Sequence, residues 1–124
     1  MSALIYEDKT YQIIEICMEV HSILGPGLLE IVYKDALEYE FKLNDIPYKR
    51  EKEYAVVYKD EVLAHRFYAD FVVFGDIILE VKGKKEIADI FIAQTLNYMT
   101  LAESPIGLIA NFGASSFQQK KLVK

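Results

Sequence analysis

Apolar residues first recur at helical spacing and then switch to alternation. From about Thr10 to Leu24, the positions Ile13, Ile14, Cys17, Val20, His21 and Leu24 fall three or four residues apart, which predicts a helix. Gly25-Pro26-Gly27 stops it and starts another. The second helix is predicted over about Leu28 to Leu43, on Val32, Ala36, Leu37, Tyr39, Glu40 and Leu43. Beyond the turn Asn44-Asp45-Ile46-Pro47 the period becomes two. Strands are predicted over 53–58, over about 62 to 73 or 74, and over 77–82, joined by turns at Asp60-Glu61 and Gly75-Asp76. A third helix is predicted from Glu86 to Ala102, closed by Ser104-Pro105. The apolar run 106–112 reads as a strand, and the basic tail 117–124 as a candidate edge strand. A helix between two strands, after a hairpin meander, predicts an α/β fold: a mixed β-sheet flanked by helices, in the order ααβββαβ with a further β at the edge.

The chain of 124 residues reads as a single domain, 1–124, with no internal repeat. No apolar run approaches a membrane span. The N-terminus lacks a basic region followed by an apolar stretch, which argues against a secretory signal and makes cytoplasmic the expected location. Cys17 is the only cysteine, which excludes an internal disulfide and a four-cysteine metal site within one chain. The formal charge of −5 argues against broad, sequence-independent nucleic-acid binding. It leaves room for an enzyme that grips phosphates locally through a metal.

The chemistry concentrates where the sequence is most sheet-like. Asp70, Glu80 and Lys82 interrupt the run from Tyr68 to Lys85, and each is expensive to bury. By alternation, Arg66, Tyr68, Asp70 and Val72 share one face of their strand, and Phe67, Ala69, Phe71 and Val73 the other. On the next strand Ile78, Glu80 and Lys82 share a face. The turn decides whether the two acids meet. A three-residue loop, Phe74-Gly75-Asp76, sets Asp70 opposite Glu80; a two-residue Gly-Asp turn sets Asp70 opposite Val81. Both lengths are common. If the carboxylates do meet, their repulsion is relieved by a hard divalent cation, Mg²⁺ or Mn²⁺, with the carbonyl of Val81 as a further oxygen ligand. Lys82 would then orient or deprotonate a water, or stabilise a developing oxyanion. The natural substrate of such a site is a phosphodiester. An Asp on an edge strand and a Glu–Lys pair on a solvated face is the commoner meaning of this spacing, but here both strands are apolar around the charges.

Asp70, nine residues, then Glu80-Val81-Lys82 resembles the core of the PD-(D/E)xK nuclease superfamily. Gly27-Leu-Leu-Glu30-Ile-Val-Tyr33 resembles the signature of its small GxxExxY family. His21-Ser-Ile-Leu-Gly-Pro-Gly and Leu-Ile-Ala-Asn-Phe-Gly are similar to that family too. The resemblance covers roughly residues 10–124. It implies a restriction-endonuclease-like fold, a divalent metal site, and the register that joins Asp70 to Glu80. Ala69 stands where the superfamily motif has proline, which carries no catalytic chemistry. Gln94-Thr-Leu-Asn-Tyr98 resembles the QxxxY motif of RecB-type and lambda-exonuclease-type enzymes.

Glu30 lies in the first turn of its helix, where an acid favours the dipole and can bond free N–H groups. The resemblance implies instead an acid that completes the metal site. Tyr33, one turn on, could pack under Glu30 or touch substrate. His21, on an apolar helix stripe, reads as a packing residue; the resemblance offers it as a metal ligand. Gln94 and Tyr98 share a helix face, suited to contacting substrate or to half-burial on a core helix. Lys84 and Lys85 are expected to begin the third helix, where a basic pair opposes the dipole and phosphate recruitment would explain it. Lys49-Arg50-Glu51-Lys52 reads as a solvated charge run. The reading these features favour is a metal-dependent nuclease acting on nucleic acid, DNA before RNA. The alternative is a non-catalytic nuclease-fold module that binds nucleic acid or a partner protein. With so few elements to surround a duplex, a homodimer is plausible.

Overall fold

The computed structural model describes residues 2–124. Its elements are α1 (Ser2–Leu24), α2 (Glu30–Leu43), β1 (Tyr48–Tyr58), β2 (Glu61–Val73), β3 (Ile77–Lys82), α3 (Asp89–Leu101), β4 (Ile106–Asn111) and β5 (Gln118–Val123). The strands form one sheet in the order β1-β2-β3-β4-β5. Among the described residues only the β3–β4 pair is parallel, and it is the pair that α3 connects. The predicted α/β order therefore holds, with β5 as the edge strand. Among the described residues no helix is long and apolar enough to cross a membrane.

The two faces carry separate cores. Ile13, Cys17 and Val20 of α1, with Tyr33, Leu37 and Phe41 of α2, pack on Phe71, Val73, Ile77, Leu79 and Val81. On the opposite face Met99 of α3 meets Ala69, Val72, Ile78 and Ile109. β3 and β4, the central parallel pair, are buried on both faces, as strands covered by helices on both sides should be. The apolar phase of α2 differs from the predicted one: Leu37 is buried, but Tyr39 and Leu43 are largely exposed, and the buried stripe runs Tyr33, Lys34, Leu37, Phe41.

Three boundaries moved for physical reasons. β1 begins at Tyr48 rather than 53, so the supposed charge run is an edge strand. Its alternation is carried by long charged side chains, and Arg50 reaches both Asp35 and Glu38 of α2 at 2.8 Å. α1 extends back to Ser2, well before the expected start near Thr10. α3 begins at Asp89, so Lys84 and Lys85 lie in the preceding loop rather than opening the helix.

The β2–β3 turn has three residues, Phe74-Gly75-Asp76, with Phe74 and Gly75 at φ 55° and 84°. Val73 accordingly faces Ile77 and Phe71 faces Leu79, and continuing that register sets Asp70 against Glu80. Alternation does not survive along β2, however. Phe67 and Ala69 face α3, whereas Phe71 and Val73 face α1 and α2. This corrects the expected single face for those four residues. The change of face lies at Asp70, opposite Glu51, which sits between the pairs Arg50–Phe71 and Lys52–Ala69; the pairing register is kept there and shifts only between Ala55 and Val57. Glu51 has φ 54°. The other four non-glycine residues with positive φ, Asp45, Lys59, Phe74 and Glu103, lie in turns; Glu51 lies within a strand. A left-handed residue there changes which side its neighbours face.

Close backbone approach fixes the β3–α3 loop. A Cβ on Gly113 would lie 2.3 Å from the carbonyl oxygen of Lys84 and 2.4 Å from its nitrogen. A Cβ on Gly107 would meet only side chains, the nearest being Met99 Sδ at 2.6 Å. Backbone cannot withdraw as a methionine tip can. Gly113→Ala should therefore cost about 2–3 kcal/mol of stability in chemical denaturation, at the upper end for overpacking, and Gly107→Ala clearly less. Equal losses would show that the loop is free to shift.

Candidate nuclease site in the seam between β2 and β3

Past Phe71 and Leu79 the two strands stop exchanging backbone hydrogen bonds, and carboxylates take over the ladder. The Asp70 N–H donates to Glu80 Oε2 at 3.0 Å, and the Val81 N–H donates to Asp70 Oδ2 at 2.7 Å. Each acid accepts the other strand's N–H. Both carboxylates lie in the seam between the strands rather than standing on one sheet face, which modifies the expected arrangement while bringing the two acids together. In an extended strand a residue's N–H and C=O point to the same edge, so the Val81 carbonyl also faces this seam.

Helix α2 supplies a cation that the sequence reading overlooked. Lys34 Nζ donates to Asp70 Oδ1 at 3.0 Å and also to Glu51 Oε1 of β1. Lys34 is buried, and burial by itself would lower its pKa; the hydrogen bonds it donates to Glu51 and Asp70 outweigh that and hold it above the usual lysine value. The signal was present in the sequence. Lys34 occupies a position of the stripe Tyr33, Leu37, Phe41, where a lysine needs an acidic partner.

Glu30 leaves its own helix N-terminus. The cap position, Leu29, offers no side-chain bond, and Glu30 Oε2 accepts the N–H of Gly83 at 2.8 Å, one residue beyond Lys82. It is thus directed to the end of β3. Among the described residues, no three acidic, histidine or cysteine side chains converge into a preformed metal cage, so Glu30 stands beside the Asp70–Glu80 pair and not within it. The loop it touches is held by a further overlooked residue. Buried Asn111 accepts the Lys84 N–H at 2.9 Å and donates to the Lys84 carbonyl and to Gln118 Oε1, at 2.8 and 2.9 Å.

The remaining candidates divide. Lys82 Nζ lies 4.7 Å from the centroid of the Phe91 ring, on the α3 side of the seam. Tyr98 ends a three-ring stack, 4.7 Å from Phe67, which in turn is 4.9 Å from Tyr54. Burial, then the charges of Glu80 and Asp70, raise the Tyr98 phenol pKa, so it stays a proton donor. Gln94, one turn earlier, and Lys84 have exposed side chains. Tyr33 is not available to substrate. It is fully buried, stacks on Phe112 at 4.7 Å, and its hydroxyl donates to the Gly25 carbonyl while accepting the Leu28 N–H. It braces the α1–α2 loop. His21 is held as a packing residue: its Nε2 donates to the Ala114 carbonyl at 2.9 Å, and its ring lies near Phe112 and Phe117. The donating Nε2 has no lone pair for a metal, which leaves Nδ1 as the nitrogen that could ligate one.

The electrostatics of the seam favour a cation. Glu80 is buried beside Asp70, and burial first, then that neighbouring charge, pushes its pKa up to about 8. Two carboxylates and a carbonyl are hard oxygen donors, and magnesium is commonly held by one or two carboxylates with water completing the shell. The donor set fits such an ion. Without metal, the raised Glu80 pKa has a defined consequence. The folded state binds a proton that the unfolded chain releases above pH 4.5, so this contribution to stability is complete below that pH and is lost as pH rises through about 8. Denaturation in chelator should show falling stability across that window, and Glu80→Gln should flatten the slope. An unchanged slope would place the proton elsewhere.

Comparison with known proteins agrees with this geometry. The crystal structure of SSO0001 shares the fold, with a TM-score of 0.60 and 16% sequence identity. The likeness covers 77% of this chain and 50% of that one, so the chain spans about half the length of that protein. No curated protein matches the chain. The family model of the PD-(D/E)XK nuclease superfamily matches residues 7–123, a span that contains both acids of the seam, Lys82 and the helix-borne candidates His21, Glu30, Tyr33, Gln94 and Tyr98. With that match over nearly its whole length, the chain belongs to the PD-(D/E)XK nuclease superfamily.

Proposed function

We propose that this protein is a divalent-metal-dependent nuclease of the GxxExxY type that hydrolyses phosphodiester bonds in DNA. The observation that carries the reading is the seam itself: two carboxylates and a backbone carbonyl directed into one gap, with the Lys82 strand alongside. A purely structural sheet would continue its ladder there with backbone bonds and apolar side chains.

In this reading Asp70, Glu80 and the Val81 carbonyl hold Mg²⁺ or Mn²⁺, and Glu30 stands near enough to join through water. When bound, such an ion polarises the phosphate and lowers the pKa of a coordinated water. The chain's own residues do the rest. Lys82 donates to the oxygen that gains charge, or orients the attacking water, from a position now shielded by Phe91. Lys84, in a loop clamped by Asn111, draws the phosphate backbone in. Gln94 and Tyr98 line the α3 side, where Tyr98 offers a hydroxyl and the face of a stacked ring. A homodimer is a simple way for so few elements to enclose a duplex.

Lys82→Ala should retain most of the wild-type affinity for manganese and lose cleavage of a defined DNA by about 100-fold or more, the scale of a removed oxyanion donor. Asp70→Ala should lose both. Calorimetric titration beside cleavage rates separates the two roles. If wild type binds no divalent ion at millimolar concentration even with DNA present, the nuclease reading fails and the non-catalytic binding module takes its place.

A further inference from the structure

Lys34 is an unusual neighbour for a metal ligand. It is buried on the apolar stripe of α2, yet its ammonium touches Asp70 Oδ1 at 3.0 Å, on an oxygen that a divalent cation would need. Nothing in the fold requires a charge there, since Leu37 and Phe41 fill the neighbouring positions of that stripe with apolar groups. The ammonium has a second carboxylate within reach, Glu51, and that residue is presented by the left-handed backbone conformation found inside β1. Left-handed backbone in a non-glycine strand residue costs of order 1–3 kcal/mol and persists where the surroundings demand it. Here it coincides with the change of face at which Glu51 and Arg50 both reach α2, where they meet Lys34, Asp35 and Glu38. Glu51 is half-exposed, whereas Lys34 and Asp70 are largely covered. The three groups therefore run from the seam outward: an acid, a cation, and an acid near water.

We propose that Lys34 is the internal counter-ion of the site: it neutralises Asp70 in the metal-free protein and is passed wholly to Glu51 when a divalent cation takes Asp70. The inference rests on the metal-site reading above and adds positioning roles for two residues outside it. Its physical basis is competition. Asp70 and Glu80 lie side by side in a covered seam, where a neighbouring cation relieves their repulsion. Lys34 supplies one positive charge, tethered and always present; a metal supplies two and displaces it. Glu51 makes the displacement inexpensive because the ammonium keeps a carboxylate partner and is never left buried alone.

Opposite changes in metal affinity test this. Manganese is titrated calorimetrically into the full-length wild type, Lys34→Met and Glu51→Gln, with circular dichroism to show that each is folded. Lys34→Met removes the competitor and a like charge, so manganese should bind about tenfold more tightly, the size expected for one charge a few ångströms away. Its melting temperature in chelator should fall and its rise on adding manganese should exceed that of wild type. Glu51→Gln leaves Lys34 with Asp70 alone, and manganese should bind several-fold more weakly. If both variants weaken binding, or neither changes it, Lys34 is a structural salt bridge and the inference is overturned. Should Lys34→Met not fold, the Glu51→Gln affinity decides alone. If wild type itself binds no manganese, the metal-site reading falls and takes this inference with it, an outcome distinct from metal binding that ignores Lys34.

Discussion

The paired hydrogen bonds across the seam, Asp70 N–H to Glu80 and Val81 N–H to Asp70, are the constraint around which this molecule is arranged. Where β2 and β3 part, their backbone groups would be left without partners in a covered seam. The carboxylates fill that role, each accepting one N–H from the opposite strand. The substitution restores hydrogen bonding at the cost of placing two acids side by side. Every nearby device relieves that cost: the raised pKa of Glu80, the ammonium of Lys34, and in the proposed function a divalent ion.

The fold supplies this seam with rigid walls. β3 is buried on both faces and bonded in parallel to β4, so its half of the seam cannot move without disturbing both cores. Asn111 and Gly113 then hold the chain that leaves β3, one by side-chain hydrogen bonds and the other by having no side chain at all. Glu30 ties the same loop to α2 through the Gly83 N–H. The more permissive half is β2, whose partner β1 is an edge strand and contains the left-handed Glu51. In the proposed function, a site that admits an ion and a phosphate benefits from that asymmetry, with Glu80 and Lys82 on the fixed strand and Asp70 on the more permissive one.

Helical and strand periods predicted the elements and their order, because those periods record which face of each element is apolar. Strand β5 was legible even in a basic tail. What failed were positions where charged side chains do the work of apolar ones. The alternation of β1 from Tyr48 is written in Arg, Glu and Lys, which look alike whether solvated or paired with α2. In α2 the stripe was read in the wrong phase, because a lysine at position 34 hid the face on which it lies. The two acids and Lys82 were recognisable as chemistry, by their expense in apolar strands and by family resemblance.

By itself the sequence determined the residue types, the elements and two allowed registers for the β2–β3 hairpin. Tertiary structure decided between the registers, through a three-residue turn whose Phe74 accepts a left-handed conformation that its own type disfavours. It also decided the partners: Glu30 to Gly83, Tyr33 to its own loop, His21 to a carbonyl, Lys34 to Asp70. The reason is one of range. Periodicity and turn chemistry are local properties, readable a few residues at a time. The partner of a buried polar group is chosen by whichever distant strand or helix the completed fold brings within three ångströms, and a lone sequence does not state that distance.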